Sequence, residues 1–355
     1  MYRELFIRDF GLLGDALKRS LYSGTADGPL SECMRIAFAQ NDLFTERMQR
    51  ISIEAVVDYF LRRDILDKWT LPYSDRIVEK SDKVLVVMAG NIPLVGFHDF
   101  LTVMASGCKV VVKCSSKDKV LLPFIVNLLC EINNYWNNRI SFISGIETNV
   151  DIVIATGSDK TARFFRRRFA DLPILTRGSR YSVAILYGDE SDQELESLSK
   201  DIFYYYGLGC RSVSLLFVPE GYDLERLKTL FANAGRLLDG AQSYLNSYRY
   251  RKALAEMNGD WFKDGGFFLF KKSEEYPPPM SVVNITEYKT PESVNSFLIK
   301  ERDSLQCVVG NKADVSDWVG NVPMLELTAF GMSQYPSVSE YADGLNSLEF
   351  ILKNS

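Results

Sequence analysis

The sequence predicts an α/β protein built on an open parallel sheet, and three observations predict it. From Lys83 onward, short apolar runs alternate with segments of helical periodicity. Val84-Leu85-Val86-Val87-Met88 is apolar at every position, as expected of a parallel strand buried on both faces. Glycine and small polar residues fall directly after these runs, where open parallel sheets bind ligands. The length of 355 residues suits two domains, taking roughly 150 residues for each.

Residues 1–75 read as helical. Phe6, Phe10, Leu13, Leu17 and Leu21 recur at helical spacing, and Phe44, Met48, Ile51, Ala55 and Tyr59 do so again. Asn41 or Asp42 is suited to cap the second run, and Gly24 to Pro29 reads as a loop between the two. After the connector containing Pro72, the alternation runs as strand 84–88, helix 94–106, strand 108–113, helix 120–135, strand 151–155 and helix 160–169. Apolar runs 172–175 and 182–186 close that series, whose alternation implies right-handed crossovers. Beyond residue 210 the pattern gives strand 213–218, helices near 223–238 and 241–257, and strand 265–270. A stiff Tyr276-Pro277-Pro278-Pro279 connector then enters strand 280–285. Helix 292–300, strand 305–309, helix 312–319 and strand 323–328 follow.

Composition narrows the function. A net charge of −5 argues against a dedicated nucleic-acid surface, which needs a basic face. No apolar run reaches the ~18 residues of a membrane span, and MYRELFIRDFG does not read as a signal peptide. Cysteines 33, 108, 114, 130, 210 and 307 lack CxxC spacing. They read as reduced thiols of a cytoplasmic protein, not as a zinc site or a disulfide frame. His98 is the only histidine, so any Cys-His or Ser-His-Asp unit would have to use it, and it reads better as a neutral core or surface residue.

One stretch stands out for chemistry: Tyr204-Tyr205-Tyr206-Gly207-Leu208-Gly209-Cys210-Arg211, a glycine-loosened turn between a helical segment and a strand. Its glycines permit close backbone approach to a ligand. Cys210 reads either as a nucleophile, through its thiolate, or as a small buried filler. Other turns carry polar groups: Gly90-Asn91, Lys113-Cys114-Ser115-Ser116, and Thr156-Gly157-Ser158-Asp159. A Gly-Ser turn running into a helix offers amide N–H groups to a phosphate, although each turn also reads as simple punctuation. With no GxGxxG fingerprint in the chain, a dinucleotide would bind in a non-standard manner.

These turns, in this order, resemble the aldehyde dehydrogenase superfamily, and within it the acyl-CoA reductases related to the fatty-acid reductase of bacterial luminescence. Asn91-Ile92-Pro93 resembles the family's Asn-x-Pro turn, and Lys113-Cys114-Ser115-Ser116 its Lys-Pro-Ser-Glu turn. Thr156-Gly157-Ser158 is similar to its Thr-Gly-Ser turn, Gly178-Ser179-Arg180 stands where Gly-Gly-Lys would, and Gly209-Cys210 matches the nucleophile. Glu275-Tyr276-Pro277-Pro278-Pro279 resembles the Glu-x-Phe-Gly-Pro segment that holds the nicotinamide ribose. The surroundings of Trp69, Leu305-Gln306-Cys307 and Phe330 to Gly344 resemble the acyl-CoA reductase branch.

The resemblance implies an aldehyde-dehydrogenase-like fold of two Rossmann-type domains, parallel sheets flanked by helices. Residues 1–181 would form a helical start and an NADP-binding domain, and 182–355 a catalytic domain with a C-terminal tail. It implies Cys210 as nucleophile and the Asn91 amide as an oxyanion donor. Lys113, Ser115, Ser116, Gly157, Ser158, Gly178 and Glu275 would hold the cofactor, with no metal. The implied reaction turns an acyl-CoA or acyl-carrier-protein thioester into an aldehyde. Members usually associate, which leaves a homo-oligomer open.

Two departures from the family pattern carry information. Thr176 stands where hydrolytic members place a water-activating glutamate, and Arg177 follows it, which favours thioester reduction over aldehyde oxidation. Ser116 stands where a glutamate would meet the adenosine ribose. Without that carboxylate, Lys113 can pair with a 2′-phosphate, so NADPH is expected in preference to NADH. Two other readings stay open at this stage: reduction of an acyl phosphate, and a non-catalytic acyl-binding protein of the same fold.

Overall fold

A computed structural model describes residues 1–22, 28–146, 149–273, 275–320, 322 and 325–355. Positions 24–27 of the expected loop and 323–324 of the expected strand lie outside the described residues. The chain divides into two compact units, Met1–Ser179 with Pro336–Ser355, and Arg180–Tyr335.

The first unit opens with helices α1 (Tyr2–Tyr22), α2 (Pro29–Gln40), α3 (Glu46–Tyr59) and α4 (Arg63–Thr70). Phe6, Phe10, Leu13, Leu17 and Leu21 form the buried stripe of α1. Asp9, also buried there, accepts hydrogen bonds from Trp136 Nε1 (3.0 Å) and Asn133 Nδ2 (2.7 Å). In α3 the stripe is Met48, Ile51, Ile53, Val56 and Val57, while Ala55 and Tyr59 are only half-buried. Thr45, and not Asn41 or Asp42, is the N-cap of α3. Asn41 instead ends α2, and its side chain accepts the Leu43 N–H at 3.2 Å. Short polar side chains that suit a cap also suit a turn, so sequence leaves the two roles unresolved.

Strands β1 (Lys83–Val87), β2 (Lys109–Lys113), β3 (Ile140–Phe142), β4 (Ile152–Thr156) and β5 (Ile174–Arg177) alternate with α5 (Phe97–Ser106), α6 (Leu121–Ile132) and α7 (Asp159–Arg168). They form a parallel sheet in the order β3-β2-β1-β4-β5. Val84 and Val86 pack into the core shared with the N-terminal helices, whereas Leu85 and Val87 pack on the other face with Phe165 and Phe169. Burial on both faces is why β1 is apolar throughout. The edge strand β3 escapes the sequence reading because it is three residues long with two of them exposed.

The second unit holds β6 (Tyr181–Ile185), α8 (Asp192–Phe203), β7 (Val213–Pro219), α9 (Leu224–Phe231), α10 (Gln242–Asn258), β8 (Phe262–Asp264), β9 (Leu269–Lys271) and β10 (Val282–Tyr288). It continues with α11 (Pro291–Glu301), β11 (Leu305–Val309), α12 (Lys312–Val319) and β12 (Glu326–Thr328). The sheet order is β12-β11-β6-β7-β10-β9-β8, parallel except for the β8–β9 pair. Thus β6 pairs with β7 and β11 and opens this second sheet; it does not close the first series. An apolar run records that it is buried but not which sheet buries it. Ser191 and Glu194 form a reciprocal cap at the start of α8.

The chain end was expected with residues 182–335, yet Pro336–Ser355 clusters with the first unit. Helix α13 (Ser347–Asn354) buries Leu348, Ile351 and Leu352 in that unit's core. His98 bonds the Val338 carbonyl through Nε2 (2.8 Å), among the rings of Phe60, Trp69 and Tyr341. Trp69 Nε1 donates to Tyr341 Oη (2.8 Å), so the segments around Trp69 and Tyr341 meet in a structural contact. No helix of the described residues is long and apolar enough to cross a membrane.

Candidate active site

In the first unit, Asn91, Lys113, Ser115, Ser116, Gly157, Ser158 and Gly178 all lie at or just after the carboxyl ends of β1, β2, β4 and β5. Because these strands are parallel neighbours, the residues share one edge of the sheet. The Asn91-Ile92-Pro93 turn is held from two sides. Ser52 Oγ donates to the Pro93 carbonyl (2.7 Å), and Asp118 Oδ2 accepts the Leu94 N–H (3.1 Å). Leu94 adopts φ 57°, a left-handed conformation that costs a non-glycine residue about 1 kcal/mol. Burial pushes the Asp118 carboxyl up to about 6, against the Leu94 N–H that favours its charge.

Gly90 is required by close approach: a Cβ there would lie 2.5 Å from Ser115 Cβ. The β1 and β2 turns therefore lean on one another. Lys113 is half-buried, Ser116 is exposed, and no hydrogen bond or ion pair engages the Lys113 ammonium among the described residues. Ser158 caps α7, its hydroxyl accepting the Thr161 N–H at 3.3 Å. Gly178 packs on Asp159, whose Oδ1 accepts the Ser179 N–H at 2.9 Å. This edge thus joins contacting glycine turns, the start of α7, and a lysine without an internal partner among the described residues.

At the end of β5, Thr176 Oγ1 accepts a hydrogen bond from Arg166 (2.7 Å). Arg177 is buried and donates from Nη1 to both oxygens of Asp99 (2.6 Å each), which also accepts Thr156 Oγ1 (3.3 Å). Each carboxylate at this edge, Asp99, Asp118 and Asp159, accepts at least one hydrogen bond from within the unit.

Cys210 and Glu275 belong to the second unit. Cys210 is half-buried just before β7, at the amino edge of the second sheet. Its turn is entered through consecutive left-handed residues, Tyr205 (φ 53°), Tyr206 (φ 61°) and Gly207 (φ 73°). The two buried tyrosines each pay about 1 kcal/mol or more for that conformation. Tyr206 packs on the ring of Tyr244, with centroids 5.6 Å apart.

Hydrogen bonds then close the turn. The Ser212 N–H donates to the Gly209 carbonyl (3.0 Å), and the Gly209 N–H donates to Ser212 Oγ (3.2 Å). Ser182 Oγ donates to the Cys210 carbonyl (2.9 Å) and lies 3.2 Å from Cys307 Sγ. Cys307 is fully buried, and burial pushes its thiol up to about 12.

Arg211 is buried beside Cys210 and pairs with Glu326 (Nη2–Oε2, 3.1 Å). Burial works against its charge, and the Glu326 carboxylate, with the Cys307 and Cys210 sulfurs close around it, keeps the guanidinium charged. Glu275 is exposed, and its backbone carbonyl accepts Asn284 Nδ2 (2.9 Å) from β10. Sequence reading missed the contacts of Ser182, Arg211, Ser212 and Asn284. Of these, only Arg211 carried a local signal, a cation adjacent to the candidate nucleophile.

A sequence profile of the acyl-CoA reductase (LuxC) family matches residues 14–241. The chain belongs to this family. The matched stretch contains Cys210 and the first-unit turns, and it ends before Glu275. The long-chain acyl-protein thioester reductase of Aliivibrio fischeri is 24% identical over 228 residues, covering 59% of this chain and 44% of the relative. This acyl-CoA reductase family member thus matches less than half the length of that curated relative.

Succinic semialdehyde dehydrogenase from Streptococcus pyogenes, in complex with NADP+, is similar in structure with a TM-score of 0.67. Identity is 14%, over 92% of this chain and 82% of that one. An aldehyde dehydrogenase C variant from Pseudomonas syringae, in complex with NAD+ and octanal, gives 0.64 at 13% identity over 95% and 78%. The fold of this LuxC-family chain is therefore aldehyde-dehydrogenase-like.

Proposed function

We propose that this chain reduces an acyl thioester, carried on coenzyme A or a carrier protein, to an aldehyde through an acyl-Cys210 intermediate, with NADPH as reductant. The observation that carries this is the Cys210 turn, a strained and hydrogen-bonded loop with a buried cation beside its thiol, in a chain of the acyl-CoA reductase family. Cys210 Sγ attacks the thioester carbonyl carbon; the carbon–sulfur bond to the carrier breaks, and the carrier thiol leaves with a proton. The Asn91 amide and the Cys210 N–H are the donors for the oxyanion. Lys113, Ser115, Ser116, Gly157, Ser158, Gly178 and Glu275 would hold the nicotinamide cofactor, which would supply hydride for reduction of the acyl group. Cys210 then departs as thiolate while the aldehyde forms. Thr176 and Arg177, already bonded to Arg166 and Asp99, provide no carboxylate base for water, so the acyl-enzyme outlives hydrolysis.

The test is nicotinamide oxidation with NADPH and NADH in parallel, against acyl-CoAs of increasing length and an acylated carrier protein, with hydroxylamine trapping the aldehyde. Oxidation of NADPH with trapped aldehyde is the expected result. Absence of both turnover and an acyl adduct on Cys210, across both donor classes, would overturn the proposal.

The cation beside the thiol makes a separate prediction. Arg211→Met retains the stem and removes the charge. It should slow iodoacetamide alkylation of Cys210 at neutral pH by about ten-fold, with the loss recovered in alkaline solution. Peptide mass spectrometry measures the rate, and an unchanged rate would remove Arg211 from thiolate stabilisation.

A further inference from the structure

One buried network in the second unit reaches the nucleophile turn from outside it. Asp201, in the last turn of α8, is fully buried and accepts two backbone N–H groups of a distant loop. Gly331 donates to Oδ2 (2.5 Å) and Ser333 to Oδ1 (2.9 Å). The next loop residue, Gln334, donates from Nε2 to Ser212 Oγ (3.3 Å) and to Ser333 Oγ (3.3 Å). Ser212 Oγ is also the acceptor of the Gly209 N–H that closes the Cys210 turn (3.2 Å). Ser212, Ser333 and Gln334 are all buried, so no water competes freely for these groups.

We propose that Asp201 and Gln334 are positioning residues for Cys210: the carboxylate docks the 331–334 loop, and the Gln334 amide orients Ser212 and so the turn that presents the thiol. The strain supplies the physical need. Left-handed Tyr205 and Tyr206 begin four residues after Asp201, and such conformations persist only where their surroundings over-determine them. The turn is anchored on both flanks, by Asp201 before it and Ser212 after it, through one loop more than a hundred residues away in sequence. This assignment rests on the proposed role of Cys210, and its test is chosen to read the thiol without a substrate.

Asp201→Asn keeps the size but replaces one acceptor oxygen with a donor, which then opposes one of the two loop N–H groups. In the folded variant, iodoacetamide alkylation of Cys210 at neutral pH should slow by about ten-fold, because a turn that shifts the thiol away from the Arg211 cation lowers its thiolate fraction. Thioester reduction should lose kcat in the same proportion with little change in KM. Gln334→Ala should reproduce both losses, and the double variant should be no slower than the slower single, because both act through Ser212. A purely structural role would lower the melting temperature and leave the alkylation rate of the folded fraction unchanged.

Alkylation within two-fold of the parent in folded Asp201→Asn, or losses that multiply in the double variant, would overturn the proposal. Should Asp201→Asn fail to fold, Gln334→Ala decides alone: slower alkylation supports positioning, and an unchanged rate overturns it. If thioester reduction fails in the parent while alkylation follows the expected pattern, the function proposal falls and the positioning network stands.

Discussion

Cys210→Ala should abolish the acyl adduct and lower thioester reduction by at least about four orders of magnitude, as loss of a covalent nucleophile does elsewhere. The loss should be that complete because no other thiol can take over. Burial holds Cys33, Cys108, Cys114, Cys130 and Cys307 above the usual thiol range, with Cys33 and Cys307 pushed up to about 12 and Cys114 to about 11. The thiolates of Cys33, Cys114 and Cys307 are therefore negligible near neutral pH, and those of Cys108 and Cys130 are disfavoured in the same direction. Intact-protein mass spectrometry after incubation with an acyl-CoA or an acylated carrier protein reads the adduct, and peptide mapping places it. An adduct that survives in Cys210→Ala would locate the nucleophile elsewhere and refute the assignment.

The second large effect concerns the reductant. Lys113→Ala should raise KM for NADPH by about ten- to hundred-fold while leaving KM for NADH nearly unchanged, since a hydrogen bond to a charged group contributes about 1.5–3 kcal/mol. The lysine at the end of β2 has no internal partner among the described residues, so its removal leaves no buried acceptor unsatisfied. Ser116→Glu should act in the same direction by a different cause: its carboxylate repels a 2′-phosphate and accepts the two ribose hydroxyls of NADH. Steady-state kinetics with both cofactors give the ratio. If Lys113→Ala weakens both cofactors equally, the lysine contacts a part they share, and the NADPH preference loses its support.

How far the site was legible in the sequence varies from residue to residue. Gly90 and Gly178 could be singled out as turn residues, but only the structure shows what each accommodates, Ser115 in one case and Asp159 in the other. Thr176 and Arg177 could be seen to lack a carboxylate, whereas their engagement by Arg166 and Asp99 could not. His98, the only histidine, reads from sequence as a neutral core or surface residue, but only the structure shows its bond to Val338, which makes it part of the anchor for the chain end. Arg211 was in plain view beside Cys210, yet its weight comes from Glu326 and Cys307, which strand pairing brings to it.

Most local elements and the turns between them follow from the order of the amino acids alone. The stripe of α1, the all-apolar β1 and the glycine turns after the strands are written in short-range periodicity and backbone freedom, which act over a few residues. Tertiary structure alone decided which sheet β6 joins, which unit receives Pro336–Ser355, and how Asp201 reaches Ser212 through a loop some 130 residues further along the chain. Those choices depend on hydrogen bonds and burial between segments remote in sequence, where a single buried serine or aspartate looks the same whether or not its partner exists.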